Sequence, residues 1–516
     1  MFFANPQFAA ACRILRSLHA AGHDAYLAGG CVRDLLLGRE PHDYDVATSA
    51  RPEVVLDLFP RTFAVGAHFG VVLVSTSGEG DSESAVEAKL CPSQEITEVA
   101  TFRCDGAYSD GRRPNAVRYT LNAADDVQRR DFTINGLLLD ALALVERTAD
   151  FDSHTQPASE ETGSSTAQSA NSAACCAPDD SLLSGQGSLW AEKELRSQII
   201  DHVGGVADIQ AGIVRSIGSA ERRFEEDHLR MLRGVRFAAR LGFALEAETA
   251  QALQRLAAKI ALVSRERVRD ELTKMLTEGR ARRAFELLDE TGLLAQVLPE
   301  IACMKGVEQP PLFHPEGDVW THTLLLLEQL EAGCPATLAW GALLHDVGKP
   351  STFRRAERIR FDGHAEMGVA MGAEICRRFR FSNDETQQIL ALIENHMRFM
   401  DAPRMKAATL KRFFRLERFA EHLALHRMDC LASKGSLETW ELVRQRWQTM
   451  PEEAMRPQPL LTGRELIAAG YTPGATFKEM LHAVEDAQLE GLIQTCEEAL
   501  QLVRERFGAS PPVTGN

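Results

Sequence analysis

Gly29-Gly30-Cys31-Val32-Arg33-Asp34, followed by Asp43-Tyr44-Asp45, sets a glycine turn and an arginine ahead of two carboxylates one residue apart. Residues i and i+2 of a β-strand point to the same side, so Asp43 and Asp45 on one strand aim both carboxylates at one point. Hard divalent cations such as Mg²⁺ take oxygen ligands, commonly one or two carboxylates together with substrate phosphates. Upstream, Gly29 and Gly30 let the backbone approach a phosphate closely, and Arg33 offers its oxygens a forked cation. Phosphate cradle, cation and metal ligands describe a site that transfers a nucleotidyl group from a triphosphate. The sequence contains neither a Walker A loop nor a Gly-x-Gly-x-x-Gly fingerprint.

Two further blocks follow in order: Arg129-Arg130-Asp131-Phe132-Thr133-Ile134-Asn135 and Glu226-Asp227-His228-Leu229-Arg230-Met231-Leu232-Arg233. With these, residues 22–300 resemble the nucleotidyltransferases of the poly(A)-polymerase and CCA-adding group, the class II tRNA nucleotidyltransferases. The resemblance implies an α+β protein with a small α/β head on a mixed sheet, followed by an elongated all-helical body. It further implies Mg²⁺ as cofactor, CTP and ATP as substrates and the tRNA 3′ end as partner. Arg130 and Asp131 resemble the family pair that contacts the incoming nucleotide and orders the site. Gly136 stands where the family usually has alanine. Residues 101–119 resemble the flexible loop of relatives that incorporate A; relatives that add only C lack it. A bacterial poly(A) polymerase typically carries an arginine pair beside the strand after the paired aspartates and a strongly basic tail. Here that strand reads Val65-Gly66-Ala67-His68-Phe69-Gly70-Val71, and residues 492–516 are not basic. A nitrogen-signalling uridylyltransferase would need C-terminal sensing domains for which this chain has no room.

The second block suggests how a base is chosen. Cytosine and adenine both present an amino donor beside a ring-nitrogen acceptor; uracil and guanine present a carbonyl beside an N–H. One arginine and one carboxylate therefore accept C and A and reject U and G, by about 10⁴ where the wrong base leaves buried polar groups unpaired. Asp227 and Arg230, three apart, are expected as neighbours on one helix. Further steps of three turn about 60° each, which keeps Arg233 within reach and sets Arg236 almost opposite Asp227. The family also assigns nucleotide contacts to later arginines of this helix.

Downstream, Trp320-Thr321-His322 and Leu344-His345-Asp346-Val347-Gly348-Lys349 resemble the start of an HD-superfamily metal site. His364, His396 and Asp429 would complete a two-metal set. Neutral imidazoles with a carboxylate suit a divalent transition metal (Ni, Mn or Co) that activates water for phosphate-ester hydrolysis. An HD phosphohydrolase whose head merely binds RNA is the competing class, but it would need degenerate head carboxylates.

Composition agrees with a soluble, multidomain protein: 516 residues, 45 % hydrophobic, with no apolar run long enough to span a bilayer. The first stretch reads as an amphipathic helix interrupted by Arg13 and Arg16, not as a signal peptide. The 11 cysteines form no Cys-x-x-Cys pair, so reduced thiols and a cytoplasmic location are expected. A net charge of −16 excludes indiscriminate coating of nucleic acid, yet arginines gather at 222–240, 265–283 and 404–415. The domains expected are a nucleotidyltransferase head at 1–150 and a disordered low-complexity insertion at 151–195. A helical neck with the recognition helix at 196–310, an HD domain at 311–435 and a helical tail at 436–516 complete the order. Residues 77–93 read as a loop. Apolar periodicity marks helices across 229–241, 272–288 and 410–425.

Overall fold

The computed structural model describes residues 5–63, 70–76, 96–106, 116–147, 193–433 and 435–508. The chain divides into two compact units, Met1–Val263 and Ser264–Asn516.

The first unit is built on a seven-stranded mixed sheet. Its strands are β1 (Ala25–Ala28), β2 (Val46–Thr48), β3 (Thr62–Phe63), β4 (Val71–Ser75) and β5 (Ile96–Thr101), with β8 (Leu137–Leu139) and β9 (Ile199–Asp201). They lie in the order β3-β4-β5-β2-β1-β8-β9, with β2 and β5 parallel and every other pair antiparallel. A separate ladder pairs β6 (Arg103–Asp105) with β7 (Val117–Tyr119). It forms the base of the expected flexible loop; residues 107–115 lie outside the described residues.

The helix Pro6–Ala20 covers the sheet with Ile14, Leu15 and Leu18, all fully buried. Asn5 starts it: its side chain accepts from the N–H groups of Gln7 and Phe8, and Pro6 brings a φ suited to the first helical position.

Three sequence expectations change. Asp43 and Asp45 lie just ahead of β2 rather than within it. Their segment is still extended, since Ala28 N–H donates to the Asp45 carbonyl at 2.9 Å. The head sheet does not end near residue 150, because β9 pairs with β8 through Leu138↔Ile200. The stretch expected to open the helical neck at 196 therefore first completes the head, and the neck also holds the short parallel pair Ile213–Val214 with Ala244–Leu245. Finally, the periodicities at 272–288 and 410–425 are each two helices. Arg265–Thr277 and Ala281–Glu290 are parted at Gly279 and Arg280, with φ of 91° and 59°. Ala407–Phe414 and Phe419–Ala432 are parted at Arg418, with φ of 47°. A left-handed residue reverses the chain while the apolar spacing continues across the turn, so periodicity alone cannot register the break. The expectations for 77–93, for 151–192 of the insertion and for the strand from Val65 to Phe69 lie outside the described residues, while residues 193–195, expected within the disordered insertion, are helical.

Among its described residues, the second unit is helical apart from one hairpin, Arg354–Arg355 with Ile359–Arg360. Phe399, Phe413, Phe414, Phe419 and Val443 form one aromatic-rich core, and Leu461, Leu466, Met480, Val484 and Val503 form another toward the tail. Every described cysteine is a free thiol. Among the described residues, no helix is long and apolar enough to cross a membrane.

Candidate nucleotidyl-transfer and metal sites

Gly29 makes the turn after β1, with a φ of 79°. A Cβ there would stand 3.0 Å from Nη1 of Arg130 as well as strain the backbone, which explains glycine at this position. The helix Gly30–Leu36 then turns Arg33 inward, where it is only 3 % exposed. Its Nε donates to Asp34 Oδ1 at 2.8 Å and its Nη1 to Asn135 Oδ1 at 2.6 Å.

Ahead of β2, Tyr44 is buried edge-on against Phe8, whereas Asp43 is exposed and Asp45 half-buried. This alternation puts both carboxylates on the face away from Tyr44. Both are felt by Cys31: burial first, then Asp45 and Asp43, push its thiol up to about 12. The thiol thus stays protonated beside the carboxylates and leaves them an all-oxygen ligand set. That set fits Mg²⁺.

The Arg129–Asn135 block wraps round the same helix. Asp126, buried, pairs with Arg129 at 2.7 Å and Arg130 at 3.1 Å. Asp131 accepts from the Phe132 N–H at 2.8 Å and from Asn135 Nδ2 at 3.2 Å on one oxygen. Its other oxygen receives Nε and Nη2 of Arg233 at 2.8 and 2.7 Å. Burial would raise the Asp131 pKa, but Arg233 and these hydrogen bonds outweigh it and bring it down to about 2. Arg33, Asn135, Asp131 and Arg233 therefore form one continuous hydrogen-bonded chain.

Asp227 and Arg230 are not neighbours on one helix. Asp227 ends the helix Ala220–Glu226 in an extended conformation, and the next helix, Arg230–Leu241, begins at Arg230 itself. Asp227 Oδ1 accepts from the Leu229 N–H at 3.1 Å. Arg230 is held at 2.9 Å by Glu226 and donates to the carbonyls of Arg223 and Arg129, each at 3.1 Å. Counting turns from Asp227 therefore fails, and with it the placing of Arg236 on the far side. Arg233, Arg236 and Phe237 share one face: the guanidinium carbons of Arg33, Arg233 and Arg236 lie 5.4, 5.2 and 4.5 Å from the centre of the Phe237 ring. Arg240, one turn further, stands 3.9 Å from Asp34.

In the second unit the structure brings together all six residues expected of the HD site. Asp346 sits at the centre. Its Oδ2 is 3.2 Å from His345 Nε2 and 3.9 Å from His322 Nε2, and its Oδ1 is 3.7 Å from Nε2 of both His364 and His396. Asp429 Oδ1 stands 3.1 Å from His322 Nε2. The outer nitrogen of every imidazole is engaged. His322 Nδ1 faces Glu316 at 2.8 Å, and those of His345, His364 and His396 face the carbonyls of Ala342, Phe361 and Ile393 at 2.8, 2.9 and 2.6 Å. Such partners fix the tautomer that turns a bare Nε2 inward. Nε2 of His322 and of His345 are indeed buried without a hydrogen-bond partner. Lone pairs facing carboxylate oxygens repel unless a cation lies between them, so the donor set fits divalent metal, with Asp346 at its centre. Burial alone would lower the His322 pKa, but Asp429 and Glu316 outweigh it and raise it to about 9, so between these carboxylates the imidazole itself takes up a proton, which a metal would displace. Burial depresses His396 to about 4 against the pull of Asp346, which keeps it a neutral ligand. Gly348 allows this assembly: a Cβ there would lie 2.1 Å from the carbonyl oxygen of His364.

Family models match three stretches: "Poly A polymerase head domain" at 25–152, "Probable RNA and SrmB- binding site of polymerase A" at 242–304 and "HD domain" at 318–433. A CCA-adding enzyme of Geobacillus stearothermophilus is 31 % identical over 503 residues, covering 96 % of each chain. The chain belongs to the CCA-adding enzymes. It is thus a tRNA nucleotidyltransferase. The crystal structure of the Bacillus stearothermophilus CCA-adding enzyme in complex with CTP matches with a TM-score of 0.65 at 26 % identity, over 98 % of both chains. The Thermotoga maritima CCA-adding enzyme complexed with tRNA-CCA, at 15 % identity and a TM-score of 0.52, shares the fold over 98 % of this chain and 96 % of that one.

For a CCA-adding enzyme the sequence reading missed Asn135, Phe237, Asp34 and Glu226 as organisers of the site. Asp34, Asn135 and Glu226 all stand inside the quoted motifs, where their residue types were in view but their partners were not. The environment of Phe237 had no local signal.

Proposed function

We propose that the enzyme adds both C and A, from CTP and ATP, to the 3′ end of tRNA, with Asp43 and Asp45 as its Mg²⁺ ligands. The observation that carries this reading is the gathering of two carboxylates and an excess of guanidinium groups about the one short helix after Gly29. Arg33, Arg233 and Arg236 crowd round Phe237 with Asp34 and Asp131 as the carboxylates beside them, an arrangement that a triphosphate would neutralise. The tRNA 3′-hydroxyl gives up its proton to solvent as its oxygen attacks the α-phosphorus in line; the bond to the β-phosphate oxygen breaks and pyrophosphate leaves with the electron pair. Mg²⁺, when bound, makes the hydroxyl more nucleophilic and stabilises the attacking and leaving oxygens. Gly29 and Gly30 leave room for the phosphates, and Arg130 and Asp131 order the incoming nucleotide. Arg230 donates to the ring nitrogen of C or A with its guanidinium held by Glu226, and Asp227 accepts from the exocyclic amino group. Incubation with tRNAs ending before the CCA, after C and after CC, each with CTP or ATP alone, tests this. Extension of the first two by CTP and of the third by ATP is expected. Extension of the CC-ending tRNA alone would instead mark an A-adding enzyme, and long A tracts a poly(A) polymerase.

We also infer that His322, His345, Asp346, His364, His396 and Asp429 hold Ni²⁺, Mn²⁺ or Co²⁺ and hydrolyse phosphomonoesters or cyclic phosphates. The inward Nε2 atoms support this reading. When bound there, the metals would activate water and stabilise the phosphate oxygens; the water oxygen bonds to phosphorus, the ester bond breaks, and the departing ester oxygen takes up the water's proton. Free thiols and the absence of a spanning helix among the described residues fit a cytoplasmic enzyme.

A further inference from the structure

The hairpin Phe353–Phe361 is inserted between two parts of the HD cluster, His345-Asp346 and His364. Its base is fixed to the metal site. Phe353 and Phe361 pack with ring centroids 5.9 Å apart, and Lys349 Nζ lies 5.4 Å over the Phe361 ring while donating to Asp346 Oδ2 at 2.6 Å and to Gln309 at 2.8 Å. Above this base the hairpin is exposed and basic, with Arg354, Arg355, Arg358 and Arg360 against Glu357 alone. Arg355 is paired with Glu308. The register sets Arg354 directly opposite Arg360, where Cβ atoms lie about 4.5–5.5 Å apart and like charges destabilise the pair. Among the described residues, neither Arg354, Arg358 nor Arg360 has a carboxylate partner. A hairpin this short has no core of its own to offset that repulsion.

In a second segment, Phe313 and Leu312 are 53 % and 71 % exposed. Phe313 immediately precedes His314, which shares Glu316 Oε1 with the ligand His322, each at 2.8 Å. Two segments tied to the metal centre thus carry, one, a pair of exposed cations and, the other, an exposed aromatic ring. Both are features by which proteins hold a single-stranded nucleic acid, the cations taking backbone phosphates and the ring stacking a base.

We propose that the HD site acts on the phosphorylated end of an RNA chain rather than on a free mononucleotide, with Arg354 and Arg360 clasping the backbone phosphate next to the scissile group. The inference rests on the hydrolase reading above. A mononucleotide carries one phosphate, for which the metal ligands and Lys349 already provide. The hairpin cations lie beyond it and find an anion only if the chain continues.

The test compares a 2′,3′-cyclic phosphate at the end of a five-nucleotide RNA with the same cyclic phosphate on a mononucleotide, using the full-length enzyme and Mn²⁺, Ni²⁺ or Co²⁺. The expected result is a kcat/KM at least tenfold higher for the RNA. In the Arg354→Ala/Arg360→Ala variant this ratio should fall toward one, and the log–log salt dependence for RNA should flatten by about 0.7, the value for one neutralised phosphate on a single strand. Arg354→Lys/Arg360→Lys, which keeps the charge, should retain most of the preference, and CCA addition reports that each variant is folded. Equal kcat/KM for the two substrates, or a preference that survives both alanines, overturns the clasp while leaving the hydrolase reading in place. Hydrolysis of neither substrate by the unmodified enzyme overturns the hydrolase reading and this inference with it.

Discussion

Replacing Asp131 with Asn should loosen the junction between the Arg129–Asn135 block and the recognition helix without altering its shape. The amide keeps an oxygen for the Phe132 N–H but can turn only a donor toward Arg233, where two charge-assisted hydrogen bonds of 2.8 and 2.7 Å now stand. A native pKa of about 2, against about 3.9 in an unfolded chain, corresponds to roughly 2.5 kcal/mol at pH 7. Because the carboxylate pKa is depressed, that stability is full above the unfolded value and is lost as pH falls from about 4 through 2. Two charged hydrogen bonds at about 1.5–3 kcal/mol each set a higher limit, but the Arg233 side chain is 34 % exposed and recovers part of this in water. We therefore expect a loss of about 2 kcal/mol. Native-state hydrogen exchange over residues 129–135 and 230–241 reads this locally, as roughly 30-fold faster exchange at neutral pH. Single-nucleotide addition should slow in parallel, and Arg233→Ala in the Asp131→Asn background should add little, since both changes break one link. Unchanged exchange in both segments, or strictly additive losses in the double variant, would refute the proposed chain from Arg33 through Asn135 and Asp131 to Arg233.

The two sites should also separate. Asp45→Ala abolishes nucleotide addition but spares metal-dependent hydrolysis and His345→Ala does the reverse with loss of bound transition metal; an Asp45→Ala enzyme that extended tRNA at near the normal rate would disprove the head assignment. Arg230→Ala should cost roughly ten- to a hundredfold in selectivity, the worth of one charged hydrogen bond, read as misincorporation of UTP and GTP relative to CTP and ATP. Equal losses with all four triphosphates would mean that Arg230 only braces Glu226 and the Arg129 carbonyl. His422 is 1 % exposed with both ring nitrogens unpartnered, and burial, reinforced by Arg398, lowers its pKa to about 4. Its folded pKa lies below the unfolded 6.5, so stability is full above pH 6.5 and declines as pH falls toward 4, by up to roughly 3 kcal/mol; thermal melts should fall over that range with a shallower slope in His422→Leu, and identical slopes would contradict this.

The legible parts of the site were those carried by local spacing. Asp43 and Asp45 flank a tyrosine, and an extended segment of any register turns both to the side away from it. His345-Asp346, with His322, His364, His396 and Asp429, offered ligand types specific enough for the resemblance to assemble, and the structure places all six together. The Asp227–Arg230 geometry was misread because a helix was assumed to run through a point where two helices meet. The placing of Arg236 almost opposite Asp227 failed for the same reason.

The sequence by itself determined the residue types, the order of the motifs and the α+β class, because these follow from backbone periods of two and 3.6 and from the chemistry of each side chain. Only the tertiary structure decided the partners. Arg33 meets Asn135, and Asp131 meets Arg233, each across 102 residues of chain. The strand after the long insertion, Ile199–Asp201, returns to finish the head sheet. The carbonyls of Ala342, Phe361 and Ile393 fix which nitrogen each imidazole turns inward. Such pairings depend on how separate segments pack, and a hydrogen bond between distant residues has no period in the chain to announce it.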